Sequence, residues 1–215
     1  MLSARIAELL KPYLGGQSLT AGDLDRISTY IDILRRWNAR INLTAIRDED
    51  EIVTRHFGES LFAARHLFPV ANDQRRATNG GISVADVGTG PGFPGIPIKL
   101  WAPDIHLTLI ESNHKKATFL KEVARALTLT DIDIQITRAE TLPAAGYGVV
   151  TLRAVERFES ILPTAARLVR PSGRLALLIG SAQFDRAESI LPAFRWLPPE
   201  PVPGSQGRIL AIANS

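Results

Sequence analysis

A glycine-rich block that follows an apolar run restricts the fold of this chain more than any other feature. The run ISVADVG at 82–88 has the β-branched composition of a buried strand, and ADVGTGPGFPGIP at 85–97 continues from its end. From Gly90 the block has the spacing G-x-G-x-x-G. A strand, a glycine turn and a helix in this order form the ligand-binding unit of a doubly wound α/β sheet.

The remainder of the chain after Ile82 alternates short apolar runs with helical segments. The predicted strands are ISVADVG, HLTLIES, IDIQITRAE, GVVTLRAV, RLALLIG and RILAIANS. This alternation predicts a doubly wound, mostly parallel sheet. The segment AFRWLPPEPVPG is too rich in proline for a central strand, so we expect it at an edge or in a hairpin.

The first 70 or so residues have helical rather than strand periodicity. Thr20 and Asp23 have the spacing of a capping box, and an apolar stripe follows them at Leu24, Ile27, Ile31, Leu34 and Trp37. The stretch PVANDQRRATNGG then reads as a connecting loop. We therefore expect a helical extension over residues 1–78, packed as one compact unit on an α/β domain over residues 79–215.

Composition excludes several classes of chemistry. The chain has no cysteine, which rules out disulfides, thiolate metal sites and a cysteine nucleophile, and its four histidines lack metal-ligand spacing. The N-terminal apolar run carries Arg5 and Glu8, unlike a signal peptide, and LALLI at 175–179 is too short to span a bilayer. We expect a cytoplasmic protein without a metal and without membrane contact.

The prolines and the acid of the glycine block favour one kind of ligand. Pyrophosphate is bound by backbone N–H groups, which Pro91 and Pro94 lack, and Asp86 adds a negative charge. S-adenosylmethionine has no phosphate and carries a sulfonium and an ammonium, so it suits this turn better. The spacing Asp86-x-Gly88-x-Gly90-x-Gly92 is also the usual methyltransferase form. A dinucleotide, or a turn with no ligand at all, remains as an alternative.

Further candidate residues stand at the ends of the later strands. Glu111 can accept both hydroxyls of a ribose, which NAD and S-adenosylmethionine share, and Ala139 and Glu140 end the third strand where an adenine ring would lie. Arg153 ends the fourth strand near the reacting end, where it could hold the methionine carboxylate or a substrate phosphate. The alternative for Arg153 is a structural ion pair with Asp86 or Glu140.

Missing motifs narrow the methyl acceptor. The Asn- or Asp-Pro-Pro-aromatic motif of adenine amino-group methyltransferases would follow strand four, but LRAVERF stands there. Methylation at C5 of a pyrimidine normally needs a cysteine nucleophile. An acceptor that already has a free lone pair remains, and N7 of guanine is one. Such a reaction needs alignment rather than a general base, so we predict no catalytic residue.

Basic residues suggest a nucleic-acid surface, although the net charge is only +3. The candidate RNA contacts are Arg36, Arg40, Arg55, Lys115 and Lys116. DEDE at 48–51 offsets them, so ordinary solvated helix faces are the alternative. We interpret His56 as an ordinary helix-surface residue, with an RNA contact beside Arg55 as the alternative.

From about residue 30 onward, the chain resembles the bacterial ribosomal RNA small subunit methyltransferase G family, also called glucose-inhibited division protein B. The resemblance lies in RWNARINLTAIRD, RHFGESL, ADVGTGPGFPGIPIKL, TLIESNHKKATFL, and the RAE and RAV blocks. It implies a Rossmann-like class I methyltransferase with a seven-stranded sheet, preceded by N-terminal helices. The family's cofactor contacts fall on Gly88, Phe93, Ala139, Glu140 and Arg153, with Glu111 as the ribose acid.

The implied reaction transfers a methyl group from S-adenosylmethionine to N7 of one guanine in 16S ribosomal RNA. The expected partner is this RNA or the 30S subunit, and we expect the protein to be a monomer. The chain departs from the family at Glu59, where aspartate is common, at Gly148, and at Ile179-Gly180, where Lys-Gly is frequent. An NAD-dependent oxidoreductase and a non-catalytic RNA-binding protein are the alternative functions.

Overall fold

A computed structural model describes residues 2–69, 81–153 and 158–215 of the chain. Four features of the sequence lie outside the described residues: most of the predicted connecting loop at 69–81, the arginines 75 and 76 within it, the boundary between 78 and 79, and the last two residues of the RAV block.

The N-terminal part consists of helices, as its periodicity predicts. They are α1 (Ser3–Leu10), α2 (Ala21–Asn38), α3 (Glu49–Glu51), a π-helical segment (Ile52–Gly58) and α4 (Glu59–Leu67). The predicted capping box is confirmed: the Thr20 hydroxyl accepts a hydrogen bond from the Asp23 N–H at 3.1 Å, and the Asp23 carboxylate accepts one from the Thr20 N–H at 3.1 Å. These bonds satisfy two N–H groups that the start of a helix leaves without partners.

The sheet has the predicted doubly wound arrangement. Its strands are β1 (Ser83–Val87), β2 (His106–Ile110), β3 (Ile132–Gln135), β4 (Tyr147–Arg153), β5 (Val169–Gly180), β6 (Arg195–Trp196), β7 (Glu200–Pro201) and β8 (Arg208–Asn214). The order is β3-β2-β1-β4-β5-β8-β6, with β7 paired to β8 beside this path. Strands β1 to β5 are parallel, and β8 pairs antiparallel with β5, β6 and β7.

The predicted fold class is therefore confirmed: within the described ranges the main path of the sheet has seven strands, and short β7 is an addition. The proline-rich segment lies at the edge, as expected, because it contributes only β6 and β7. Proline has no N–H for a central strand ladder, so the pairing there stays short.

Helices cover both faces of the sheet. They are α5 (Gly95–Trp101), α6 (His114–Ala126), α7 (Phe158–Leu168) and α8 (Phe184–Ile190). The N-terminal helices share one buried cluster with α5, α6 and one face of the sheet, and α7 and α8 share a second cluster with the other face. Alternate residues of each central strand enter opposite clusters, which is the strand period of two. Among the described residues, no helix has the length and apolarity needed to cross a membrane.

The register of the parallel strands brings the candidate residues to one edge. Val87, the last residue of β1, pairs with Ile110 of β2 and with Leu152 of β4. The glycine turn, Glu111 and Arg153 therefore all follow or end strands at the carboxyl edge of the sheet. Ligands bind at this edge in open α/β sheets.

Candidate functional site

The glycine turn after β1 has a backbone that other residues rarely adopt. Gly88, Gly90 and Gly92 have φ values of +64°, +56° and +91°. A Cβ on Gly92 would contact the Tyr30 hydroxyl and lie 2.7 Å from Cδ1 of Ile96. Glycine is therefore required at this position both by conformation and by space.

The N–H groups of the turn are already used inside the protein. Those of Gly88 and Thr89 donate to the Ile110 carbonyl, and those of Gly92 and Phe93 donate to the Thr89 carbonyl, at 2.9–3.2 Å. The Gly90 N–H donates to Glu111 at 3.1 Å and the Gly95 N–H to Asp86 at 2.9 Å. Pro91 and Pro94 have no N–H. The turn consequently has no free row of donors for a pyrophosphate.

Asp86 lies beneath the turn. Its buried carboxylate accepts hydrogen bonds from the Gly95 N–H and from the hydroxyls of Thr89 and Thr151. Burial raises the pKa of Asp86 to about 6, and these hydrogen bonds oppose the rise. The residue anchors the turn and the start of α5. A direct contact between Asp86 and a cofactor stays a prediction.

Glu111 bridges the glycine turn and the start of α6. Its Oε2 accepts from the Gly90 N–H at 3.1 Å and its Oε1 from the Asn113 N–H at 2.8 Å. Asn113 in turn caps α6 by accepting from the N–H groups of Lys115 and Lys116. The carboxylate that we predict to bind a ribose is thus held beside the turn.

Phe93 turns its ring away from the carboxyl edge and into the helical extension. The ring is buried between Tyr30 and His56, with centroid distances of 5.2 and 4.7 Å and interplanar angles of 6° and 14°. The Tyr30 hydroxyl also donates to the carbonyl of Pro91. The helical extension therefore packs directly against the glycine turn. Tyr30 belongs to the site although no motif in the sequence indicated it; it lies in α2 between the stripe residues Ile27 and Ile31.

The interpretation of His56 as a surface residue was wrong. Its side chain is buried, and its Nε2 lies 2.8 Å from the Thr44 hydroxyl. The π-helical segment packs against α1 and its continuation α4 packs against α5, so this stretch has little free surface. Burial, followed by the charges of Arg153 and Arg55, lowers the pKa of His56 to about 3, which keeps the imidazole neutral at physiological pH.

Arg153 does form an ion pair, but its partner is neither of the two predicted acids. Its guanidinium lies 3.3 Å from Oε2 of Glu59 and donates to the Arg55 carbonyl at 2.6 Å. Oε1 of the same Glu59 lies 2.7 Å from the Arg208 guanidinium. Burial lowers the pKa of Arg153 and Glu59 opposes that shift. Glu59 and Arg208 belong to the site, and no local sequence pattern links two residues so far apart.

A crevice of about 220 Å³ opens at this ion-pair cluster, beside the ends of β4 and β5. Its lining residues are Arg55, Glu59, Leu152, Arg153, Phe158, Leu178, Ile179, Gly180, Gln183 and Arg208.

Ala139 and Glu140 lie in a short 3₁₀ turn, Ala139–Thr141, beyond β3. Ala139 is buried in the same cluster as Val87 and Ile110, next to the ends of β1 and β2. The carbonyls of both residues face Arg167, whose Nη2 lies 3.4 and 3.2 Å away. The position is compatible with the adenine contact that we predict for it.

The predicted RNA contacts divide into two groups. Arg40 and Lys115 are exposed, Lys116 is partly exposed, and Arg36 pairs with Glu122 of α6 at 3.2 Å, so this group lies around α2 and α6. Arg55 instead pairs with Glu51 at 2.8 Å and lines the crevice. RNA contact by these five residues stays a prediction.

Comparisons with known proteins agree with this arrangement. The profile of the family described as GidB, rRNA small subunit methyltransferase G, matches residues 23–191. The ribosomal RNA small subunit methyltransferase G of Stenotrophomonas maltophilia strain K279a is 38% identical over 210 residues, covering 96% of this chain and 93% of that protein. The corresponding protein of Xanthomonas axonopodis pv. citri strain 306 is 37% identical over 212 residues, covering 96% and 93%.

Solved structures of lower identity share the fold. A ribosomal protein L11 methylase from Lactobacillus delbrueckii subsp. bulgaricus superposes with a TM-score of 0.56 at 20% identity, covering 74% of this chain and 78% of that chain. M. jannaschii TYW2, solved in complex with AdoMet, has a TM-score of 0.52 at 13% identity, covering 66% and 70%.

Proposed function

This chain belongs to the rRNA small subunit methyltransferase G family, and on that premise we propose that it transfers a methyl group from S-adenosylmethionine to N7 of a guanine in small-subunit ribosomal RNA. The observation that carries the proposal is the glycine turn. It is flanked by the carboxylates of Asp86 and Glu111, and its N–H groups are bonded internally. Such a turn offers few N–H donors to a phosphate, and its carboxylates attract a cationic cofactor. Its glycines let the cofactor approach the backbone closely.

The residues at the carboxyl edge fit S-adenosylmethionine as a group. The residues that would hold it are Asp86, Gly88, Gly90, Gly92, Phe93, Glu111, Ala139, Glu140 and Arg153. Glu111 would accept from the ribose, and Asp86 would act through its charge from beneath the turn. Phe93 would act through its backbone, because its ring is packed against Tyr30 and His56.

The chemistry needs alignment of the acceptor and little else from the protein. The cofactor supplies an electrophilic methyl group on a sulfonium. The N7 lone pair would accept this methyl group as the C–S bond breaks, and the positive charge would pass from sulfur to the purine. N7 carries no proton at neutral pH, so no general base is required. His56 is unsuited to that role, because it is buried and its pKa is lowered to about 3.

The finer features of the proposal concern partners and organisation. We propose that the substrate is presented as the 30S subunit or its RNA, that the enzyme is a cytoplasmic monomer, and that residues 1–78 form an extension on a methyltransferase domain at 79–215. The cluster that joins the N-terminal helices to one face of the sheet supports a single compact unit.

A labelled-methyl experiment tests the proposed function. The purified chain is incubated with labelled S-adenosylmethionine and small ribosomal subunits from a strain that lacks the gene, and the modified base is mapped. We expect one equivalent of label at N7 of one guanine. Label at another atom would contradict the acceptor assignment, and RNA without label would favour a non-catalytic RNA-binding protein.

A further inference from the structure

The crevice beside β4 and β5 lies next to the glycine turn. Leu152 of β4 lines the crevice and pairs in register with Val87, the residue directly before Gly88. Leu178, on the opposite wall, pairs in register with Arg153. Neighbouring strands are about 4.8 Å apart, so the crevice opens within about two strand spacings of the turn that we assign to the cofactor. An acceptor atom bound there is within reach of a methyl group presented at the turn.

The lining of the crevice combines apolar side chains with an excess of donors. Leu152, Phe158, Leu178 and Ile179 supply the apolar part; all four are core residues, and Phe158, at the start of α7, keeps 8% of its surface exposed. Aromatic rings stack on nucleobases with little dependence on sequence.

The charged part of the lining contains three guanidinium groups, those of Arg55, Arg153 and Arg208, and one carboxylate, that of Glu59. Nε of Arg55, Nε of Arg208 and Oε1 of Glu59 are buried and form no hydrogen bond within the part of the chain that the structure describes, so a ligand in the crevice does not reach these three atoms. The side chains of Arg55 and Arg208 keep 42% and 33% of their surface exposed, which leaves outer N–H groups at the crevice. The crevice therefore fits a ligand that offers acceptor groups.

We propose that this crevice is the subsite for the target guanosine, with the base against Phe158 and its O6 acceptor facing Arg208. The inference rests on the proposed function and adds to it the residues that select the base. Guanine presents acceptors at O6 and N7, whereas adenine presents an N6 amino donor in place of O6. An arginine has donors only, so it attracts the guanine edge and opposes the adenine edge.

Glu59 is the positioning residue of this subsite. Its buried carboxylate contacts Arg153 of β4 through one oxygen and Arg208 of β8 through the other. Without that charge, two guanidinium groups would repel each other across the crevice. Glu59 thus holds both cations in place while leaving other N–H groups of Arg208 for the base.

The test uses the full chain with S-adenosylmethionine and unmethylated small ribosomal subunits. The variants are Arg208→Gln, Arg208→Lys, Phe158→Ala and Phe158→Leu, with Arg195→Gln as the charge-matched control on exposed β6. Phe158→Leu preserves apolar packing if the alanine variant folds poorly. The measurements are kcat, the KM for subunits, the Kd for S-adenosylmethionine and the melting temperature.

We expect Arg208→Gln and Phe158→Ala to lower kcat at least about tenfold, the effect of losing one base contact or stacking platform. Phe158→Leu also removes the ring, so we expect it to lower kcat about fivefold or more. We expect Arg208→Lys to have a higher kcat than Arg208→Gln, because lysine keeps a cationic donor. The cofactor Kd and the KM for subunits should stay within about twofold, because phosphate contacts elsewhere supply most of the RNA affinity.

Two results overturn the subsite. The first is that Arg208→Gln and Phe158→Leu both keep a kcat within about twofold of that of the Arg195→Gln control, because the loss of one base contact lowers the rate by more than that. The other is a loss of cofactor affinity as large as the loss of rate, which would assign the crevice to the cofactor. Failure of the proposed function is recognised beforehand, because the wild-type chain would then place no label on N7 of guanine.

Discussion

Replacing Gly92 by alanine tests whether the helical extension holds the cofactor turn in shape. The substitution adds a Cβ at φ +91°, against the Tyr30 hydroxyl and 2.7 Å from Cδ1 of Ile96. The backbone strain costs about 1–2 kcal/mol and the overpacking a further 1–3 kcal/mol. Gly16 is the matched control, because it has φ +85° and nothing within 4 Å of its added Cβ, so Gly16→Ala carries the strain alone.

The assay is thermal unfolding together with calorimetric binding of S-adenosylmethionine. For a chain of this size, about 1 kcal/mol lowers the melting temperature by about 2–4 °C. Gly92→Ala should therefore melt about 2–12 °C below Gly16→Ala. It should also bind the cofactor at least about tenfold more weakly, a loss of about 1.4 kcal/mol, because Tyr30 or the turn must move. Equal melting temperatures of the two variants, with wild-type affinity in Gly92→Ala, would show that the turn accommodates a Cβ at this position without cost.

Three further predictions follow from the ionisable residues. Burial raises the pKa of Asp86 from 3.8 to about 6, so between these pH values the folded chain binds more protons than the unfolded chain. The free energy of unfolding should therefore fall by up to about 3 kcal/mol as the pH rises from 4 to 7. Asp86→Asn should abolish this fall. Denaturant titrations of both proteins at each pH measure it, and identical pH profiles would contradict it. The rate of methyl transfer should change little between pH 7 and 9, because the pKa values of Asp86 and His56, about 6 and about 3, lie below that interval. A bell-shaped pH profile would instead show an essential acid and an essential base. Arg40→Gln and Lys115→Gln should each reduce the salt dependence of subunit binding by about one unit of slope without changing kcat, and an unchanged slope would leave the two residues as ordinary solvated cations.

Local patterns in the sequence were sufficient for much of the fold. The capping box at Thr20 and Asp23 and the strand–helix alternation after Ile82 depend on neighbouring residues, and both are confirmed. The sequence also placed Glu111 at the end of a strand beside the glycine turn, where the structure has it bonded to the Gly90 N–H. These features follow from backbone hydrogen bonding and strand register, which short segments encode.

Contacts between distant segments could not be predicted in the same way. The stack of Tyr30, Phe93 and His56 joins α2, the glycine turn and the π-helical segment, and nothing in any one segment indicates the other two. The same holds for Glu59 and Arg208, which only the folded sheet brings together. The orientation of the Asp86 side chain is likewise not encoded locally, because both faces of β1 are buried and its sequence does not show which way a polar side chain points.

Calorimetric titration of the same chain with S-adenosylmethionine and with NAD distinguishes a methyl-donor site from a dinucleotide site. We predict saturable one-to-one binding of S-adenosylmethionine, weakened by Glu111→Gln, and no measurable heat with NAD, because the turn between Gly88 and Gly95 has its N–H groups bonded internally. Saturable binding of NAD with no binding of the methyl donor would contradict it.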